Sequence, residues 1–168
     1  MCADMWKKII VAQKRPKSGC IPWSLEMLLR AKGVKGIDMD SFQDTFDREN
    51  NSYTSVITSV HMKYADRFGG NLIFGQHSFV SADGKIDFIR DSHGRGRYLV
   101  ASIHLNPGCT KCNPVFHSMP VIDVSGSSIY FLNGMMADGG LDVMPLTSDE
   151  IRLRHDSTNG GRDVAYLL

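Results

Sequence analysis

One of the four cysteines stands where the start of a helix could activate its thiol. Cys20 follows Ser18-Gly19 and precedes Pro22, and proline is common in the first turn of a helix. Free N–H groups and the positive dipole end of such a helix stabilise a thiolate, which predicts a thiol pKa below about 8.5. Gly19 would let a substrate approach closely. Cys20 is therefore a candidate nucleophile, although a structural cysteine at a helix end has the same local sequence.

A thiolate nucleophile needs an imidazole partner, and one of the six histidines is placed to provide it. His117 begins a predicted strand that leads into the turn Ser125-Gly126-Ser127. The returning strand ends at Asn133, so one hairpin can hold both side chains at the same end of a sheet. Asn133 is therefore the candidate residue for orienting the imidazole, with Asp138 as the alternative.

The register of this hairpin decides whether the two side chains can meet. A turn centred on Ser125-Gly126 would place Asn133 one residue from direct opposition to His117. A turn centred on Gly126-Ser127 would move Asn133 two positions further away. We take the first register as the expectation.

Attack of a thiolate on a carbonyl creates an oxyanion that needs hydrogen-bond donors. Gln13 lies seven residues before Cys20, after the apolar run Ile9–Ala12, and its side-chain amide could supply one donor. The backbone N–H of Cys20 could supply another. A solvated polar residue would have the same sequence signal as Gln13. The chemistry of the whole set is acyl transfer to sulfur, for which we expect no cofactor.

Helical patterns fill the first part of the chain, and strand patterns follow. The apolar spacing and end signals predict helices over 21–32, 41–48 and 53–68. Short apolar stretches rich in β-branched residues predict strands over 98–105, 120–124, 129–132 and 164–168. Segment 83–91 favours a helix over a hairpin turn, and Thr147 with Glu150 predicts a capped helix. These elements indicate an α+β fold with helices on one side of an antiparallel sheet.

Composition argues against nucleic-acid and membrane partners. The 168 residues include 19 basic and 18 acidic ones, for a net charge of +1, without a long run of like charges. Apolar runs are far shorter than the about 20 residues that span a bilayer. The first residues show no signal-peptide pattern. We therefore expect a single domain over residues 1–168 in the cytoplasm, with no nucleic-acid or membrane partner.

In chain order, Gln13, the segment SGCIPWSLEMLLR around Cys20, His117 and Asn133 resemble a papain-like cysteine peptidase. The similarity is strongest to a compact bacterial branch similar to bacteriocin-processing, double-glycine leader peptidases. In that branch a cysteine opens a helix written roughly Cys-x-Pro-x-Ser. A later strand that begins with histidine is followed by Asp or Asn.

The resemblance implies a fold, an activity and a role for each residue. The fold would pack N-terminal helices against a C-terminal antiparallel sheet, with the active site in the cleft between them. Cys20 would be the nucleophile, His117 the general base, Asn133 the orienting residue and Gln13 the oxyanion donor. The activity would be hydrolysis of peptide or isopeptide bonds in a protein or peptide substrate, without a cofactor.

Two non-enzymatic alternatives remain open at this point. His104, Cys109, Cys112 and His117 could hold a tetrahedral zinc ion, so that the protein would be a zinc-stapled binding module. Alternatively, a papain-like fold could have lost its activity and serve to bind a partner, because the gap between Gln13 and Cys20 is longer than usual in the family.

Overall fold

The structure, a computed structural model, describes residues 3–15, 19–45, 74–134, 142–157 and 160–168. Its helices are α1 (Ala3–Ile9), α2 (Cys20–Lys32), α3 (Ala82–Gly94) and α4 (Ser148–Leu153), with a 3-10 turn over Gly160–Arg162. Its strands are β1 (Phe74–Ser78), β2 (Tyr98–His104), β3 (Phe116–Ser125), β4 (Ser128–Asn133), β5 (Asp142–Thr147) and β6 (Asp163–Leu167). Among the described residues, no helix is both long and apolar enough to cross a bilayer.

All six strands form one antiparallel sheet in the order β1-β6-β2-β3-β4-β5. The last strand of the chain, β6, inserts between β1 and β2, whereas β2 to β5 follow one another as neighbours. Strand β3, which carries His117, therefore lies in the interior of the sheet between β2 and β4. The predicted α+β class with an antiparallel sheet is confirmed.

Helix α2 is buried on nearly every side, which fixes the position of its first residue. Every residue from Pro22 to Leu29 is buried, and Trp23 and Leu28 are completely inaccessible to solvent. The helix packs between one face of the sheet and the N-terminal segment that contains Trp6. It ends at Gly33, whose φ of 72° is the left-handed conformation that closes many helices. Cys20 thus begins a helix that belongs to the core.

Helices cover both faces of the sheet, so the expectation that they lie on one side is wrong. Ile86 and Ile89 of α3 and Ile151 of α4 pack against sheet residues on the face opposite to α2. The reason is visible in β2, where five successive residues from Leu99 to Ile103 are buried. A strand that buries successive residues has two apolar faces, and each face needs a covering layer.

Most predicted elements are present close to their predicted bounds. The structure confirms α2, the helix over segment 83–91, the hairpin of β3 and β4, and the strands β2 and β6. It also confirms the capping box at α4, in which the side chains of Thr147 and Glu150 each bond the other residue's backbone N–H. Residues 42–45 are helical, and the remainder of the predicted helix 41–48 lies outside the described residues, as does 53–68. Helix α1 and strands β1 and β5 were not predicted.

The register of the β3–β4 hairpin differs from the expected one. The pairs Ser125↔Ser128 and Val124↔Ile129 place the turn at Gly126-Ser127, where Gly126 adopts a φ of 56°. Such a positive φ at the first turn residue matches the twist of a tight hairpin. A bulge between Val121 and Asp123 then shifts the register by one residue, to Val121↔Phe131. Asn133 consequently lies two residues from direct opposition to His117.

Lys85 holds α3 to the sheet from a completely buried position. Its Nζ donates hydrogen bonds to the backbone carbonyls of Ser102 in β2 and Gly161 in the 3-10 turn. Burial disfavours the charged ammonium and lowers the pKa of Lys85 to about 7, although the negative charge of Asp163 opposes this shift. Two carbonyl acceptors match the two N–H bonds of a neutral amine.

This buried amine predicts a pH dependence of folding stability. Between about pH 7.5 and pH 8.5 the unfolded chain keeps Lys85 protonated while the folded chain does not, so the free energy of unfolding rises with pH. The slope that Lys85 contributes is up to about 1.4 kcal/mol per pH unit. We expect urea unfolding of Lys85→Met to lack this slope, and the exposed control Lys35→Met to keep it. Equal slopes in the wild type and Lys85→Met would contradict the prediction.

Candidate active site

Cys20 is the first residue of α2, and its sulfur lies against the start of the helix and against β3. Hydrogen bonds from the backbone N–H groups of Ser118, Ile21 and Cys20 itself lower the pKa of the thiol. Burial raises the pKa by more than these bonds lower it, so the net pKa lies above the ordinary value. The expected low thiol pKa is therefore wrong. The helix start acts in the predicted direction, but desolvation of the thiolate outweighs it.

The contact between Cys20 and β3 uses a stretch of strand that, among the described residues, has no strand partner on that side. The β3–β4 pairing extends from Ser125↔Ser128 to Val121↔Phe131, and Ser118 lies beyond it. The N–H of Ser118 bonds the Cys20 sulfur, and its carbonyl accepts a bond of 2.8 Å from the Ser24 hydroxyl. Two residues one helical turn apart thus fix α2 to β3.

His117 precedes Ser118, so the same stretch of β3 holds the imidazole and contacts the thiol. The side chain is only 4% exposed, and its Nε2 lies 3.1 Å from Oδ1 of Asn133. Long side chains can meet across such a diagonal of an antiparallel pair. Burial lowers the pKa of His117, and the bond to Asn133 opposes the shift only in part. Both His117 and Cys20 are therefore driven toward their neutral forms.

Asp142 continues the chain of hydrogen bonds behind Asn133. The Asn133 side-chain Nδ2 donates a bond of 2.7 Å to Oδ2 of Asp142, and the two residues face each other as backbone partners in β4 and β5. Sequence reasoning missed Asp142 because it predicted no strand over this segment, which contains Pro145. Strand β5 is an edge strand, where proline is tolerated. Asp138, the alternative orienting residue, lies outside the described residues.

Gln13 is buried beside the start of α2 and is connected to it through one carbonyl. Its Nε2 donates a bond of 2.7 Å to the carbonyl of Arg15, which also accepts a bond of 2.7 Å from the N–H of Gly19. A Cβ atom on Gly19 would lie 3.0 Å from that carbonyl oxygen, so the close approach favours glycine. Within the described part of the chain, Gln13 has no direct hydrogen bond to Cys20, His117 or Asn133.

The side chain of Gln43 bonds backbone groups on both flanks of Gln13 and connects this segment to α2. Gln43 accepts a bond of 3.0 Å from the N–H of Lys14 and donates one of 3.2 Å to the carbonyl of Ala12. The same amide donates to the buried carboxylate of Glu26 at 2.8 Å, and Glu26 is also paired with Arg30 at 2.7 Å. The position of Gln13 is thus set by a buried polar network that is anchored in α2.

Gly134 explains how the helix of Cys20 can pack against the strand of Asn133. A Cβ atom at this position would lie 2.6 Å from the ring of Trp23, closer than any side chain tolerates. The Trp23 indole also donates a bond of 2.7 Å to the carbonyl of Val11. Trp23 therefore connects the end of β4 with the segment that leads to Gln13.

The proposed zinc ligands do not form a metal site. Cys109 and Cys112 are joined by a disulfide in the exposed β2–β3 loop, and disulfide sulfurs are not the thiolates that bind zinc. His117 instead contacts Asn133. Across the described ranges, no group of three or more His, Cys, Asp or Glu side chains could hold a metal ion. The zinc-stapled alternative is therefore wrong.

The network around Gln43 predicts a large loss of stability on truncation. Gln43→Ala would leave the buried Glu26 carboxylate, and the partly buried Lys14 N–H and Ala12 carbonyl, without this partner. We expect the free energy of unfolding to fall by about 2 to 4 kcal/mol. The neighbouring Asp44→Ala, which breaks an exposed ion pair with Lys14, should cost less than about 1 kcal/mol. Similar losses in chemical denaturation of the two variants would contradict the network's role.

Comparisons with known proteins give the fold and no family. No protein-family model matches the chain, and no curated protein matches it. A crystal structure of a protein from Bacillus anthracis, provisionally named a C39-like peptidase, is similar with a TM-score of 0.60 and 13% sequence identity. The similarity covers 95% of this chain and 94% of that one. The chain therefore has the fold of that protein, a mixed helix and antiparallel-sheet fold of papain-like type.

Proposed function

We propose that the protein is a cysteine peptidase that uses Cys20, His117, Asn133 and Gln13. The observation that carries the proposal is the hydrogen bond between His117 and Asn133. The residue after His117 in β3, Ser118, donates its backbone N–H to the Cys20 sulfur. These residues stand in the chain order of papain-like peptidases. The fold shared with a protein named as a peptidase supports the same activity.

The protonation states favour general-base catalysis. Burial raises the pKa of Cys20 and lowers that of His117, so the resting pair is a neutral thiol and a neutral imidazole. His117 takes the thiol proton as sulfur forms a bond to the substrate carbonyl carbon. The resulting imidazolium then protonates the leaving amine as the C–N bond breaks, which leaves an acyl thioester on Cys20. Water, deprotonated by His117, hydrolyses the thioester and restores the thiol.

The oxyanion would be stabilised by donors that are already held in place. The Gln13 amide carries two N–H bonds; one is committed to the Arg15 carbonyl, and in this proposal the other would bond the oxyanion. The backbone N–H of Cys20 at the start of α2, which bonds the sulfur before the reaction, would be the second donor. Because the Gln43 network fixes the backbone on both sides of Gln13, little reorganisation is needed during the reaction.

The substrate class that fits this machinery is a peptide or isopeptide bond in a protein or peptide. The mechanism uses only side chains and backbone groups of this chain, and we propose no cofactor. We propose no nucleic-acid or membrane partner, in keeping with the nearly neutral net charge of +1.

Acetylation by p-nitrophenyl acetate tests the nucleophile without knowledge of the substrate. The wild type should release one equivalent of nitrophenolate in a burst and carry an acetyl group on Cys20, read by mass spectrometry. Cys20→Ala should lose the burst, and His117→Ala should slow it about 10²- to 10⁴-fold. The exposed His77→Ala is the matched control. A folded wild type that is acetylated no faster than Cys20→Ala would overturn the proposal in favour of an inactive binding domain.

A synthetic peptide library, followed by mass spectrometry, then tests for cleavage.

The neutral resting pair predicts how the thiol responds to pH. Because burial raises the pKa of Cys20, the rate of iodoacetamide alkylation should reach its half-maximum at a higher pH than an ordinary thiol does. The urea-unfolded protein provides the reference for the same residue. If folded Cys20 instead has its half-maximum below that of the unfolded chain, the resting state is a thiolate–imidazolium pair and this prediction fails.

A further inference from the structure

We infer that Asp142 selects the tautomer of His117 by fixing the orientation of the Asn133 amide. Asp142 would be a positioning residue, because it reaches the imidazole only through Asn133. The inference rests on the proposed function, in which His117 accepts a proton from Cys20.

The first step is the orientation of the amide. Asn133 Nδ2 lies 2.7 Å from the Asp142 carboxylate, and the backbone pairing Asn133↔Asp142 keeps the two side chains together at the ends of β4 and β5. A carboxylate has acceptor atoms only, so the NH₂ group of the amide must face it. The opposite orientation would bring the amide oxygen against a carboxylate oxygen.

The second step is the position of the imidazole proton. With its NH₂ group on Asp142, the amide presents Oδ1 to His117 Nε2 at 3.1 Å. An amide oxygen only accepts hydrogen bonds, so Nε2 must carry the proton. Nδ1 of the neutral ring then keeps its lone pair, and in the proposed mechanism this nitrogen accepts the thiol proton.

The position of the ring proton decides whether His117 can act as a base toward the neutral Cys20 thiol. A neutral imidazole can take the thiol proton only on its unprotonated nitrogen. Without the carboxylate, the NH₂ group is no longer required to face residue 142, and an amide turned by half a rotation would donate Nδ2–H to Nε2, which moves the ring proton to Nδ1. That tautomer would face the thiol with an N–H and could not act as its base. Asp142 removes this second arrangement.

The tautomer can be measured directly by two-bond ¹H–¹⁵N correlation spectra of the protein labelled with ¹⁵N-histidine, with His117→Ala to assign the signal. We expect the wild type to show Nε2–H alone at a pH above the titration of His117. In Asp142→Asn the two facing amides can turn together, so both tautomers should be populated. The acetylation rate at Cys20 should then fall in proportion to the fraction of molecules that shift to Nδ1–H, because only the Nε2–H ring is competent.

A swap of the two residues supplies the rescue. In the double variant Asn133→Asp with Asp142→Asn, a carboxylate faces His117 and again accepts only, so Nε2–H and the acetylation rate should recover relative to Asp142→Asn. Asp123→Asn, on the strand of His117, is the control for loss of one carboxylate. Iodoacetamide alkylation at high pH, which needs no base, should be the same in all of these proteins.

The outcomes separate this inference from the proposed function. Nδ1–H in the wild type, or an unchanged tautomer and acetylation rate in Asp142→Asn, would overturn the inference while acetylation of Cys20 still supported the peptidase. A tautomer shift in Asp142→Asn together with no acetylation of the wild type would support the positioning role of Asp142 and overturn the proposed peptidase function.

Discussion

The free edge of β3 at Ser118 is the constraint on which the arrangement of the candidate site depends. Beyond the last pair with β4, the backbone N–H and carbonyl of Ser118 lie in the interior, where an unpaired group costs about 1 to 3 kcal/mol. The first turn of α2 supplies the missing partners through the Cys20 sulfur and the Ser24 hydroxyl. Because residues four apart lie on the same side of a helix, one docking geometry satisfies both groups. The thiol is therefore held where the sheet requires an acceptor.

The contact between Cys20 and Ser118 removes water from around the thiol, and the resulting change in pKa determines how the proposed reaction begins. The half-buried sulfur that replaces a strand partner is partly desolvated, and this desolvation raises its pKa in spite of three N–H donors. The same burial lowers the pKa of His117. In the function we propose, the pair consequently transfers a proton during the attack, and the orientation of every uncharged donor and acceptor matters more than it would for a preformed ion pair.

Features that depend on local sequence could be predicted, whereas features that depend on long-range packing could not. Pro22 and Gly33 predicted α2, and the turn around Gly126 predicted the hairpin that joins His117 to Asn133. The bulge at Ile122 could not be predicted, since it depends on how both faces of β3 pack. Burial of Cys20 is likewise a property of the assembled core, so the effect of the helix start on its pKa was predicted with the correct sign and the wrong net result.

Ser118 in β3 and Ser102 in β2 lie where the neighbouring strands β4 and β6 have already ended, which explains why polar side chains cluster there. Ser118 faces Ser102 in β2, and their hydroxyls lie 2.7 Å apart on the sheet face that α2 covers. The β2–β6 pairing ends at Ala101↔Val164, one residue before Ser102, whose carbonyl is taken by Lys85. At each of these two strand ends a helix side chain takes the place of the missing strand. The Lys85 amine bonds β2 beyond the end of β6, and the Cys20 thiol bonds β3 beyond the end of β4. Two short strands thus create, within an apolar core, the demand for polar partners that places Cys20 against Ser118, the residue that follows His117.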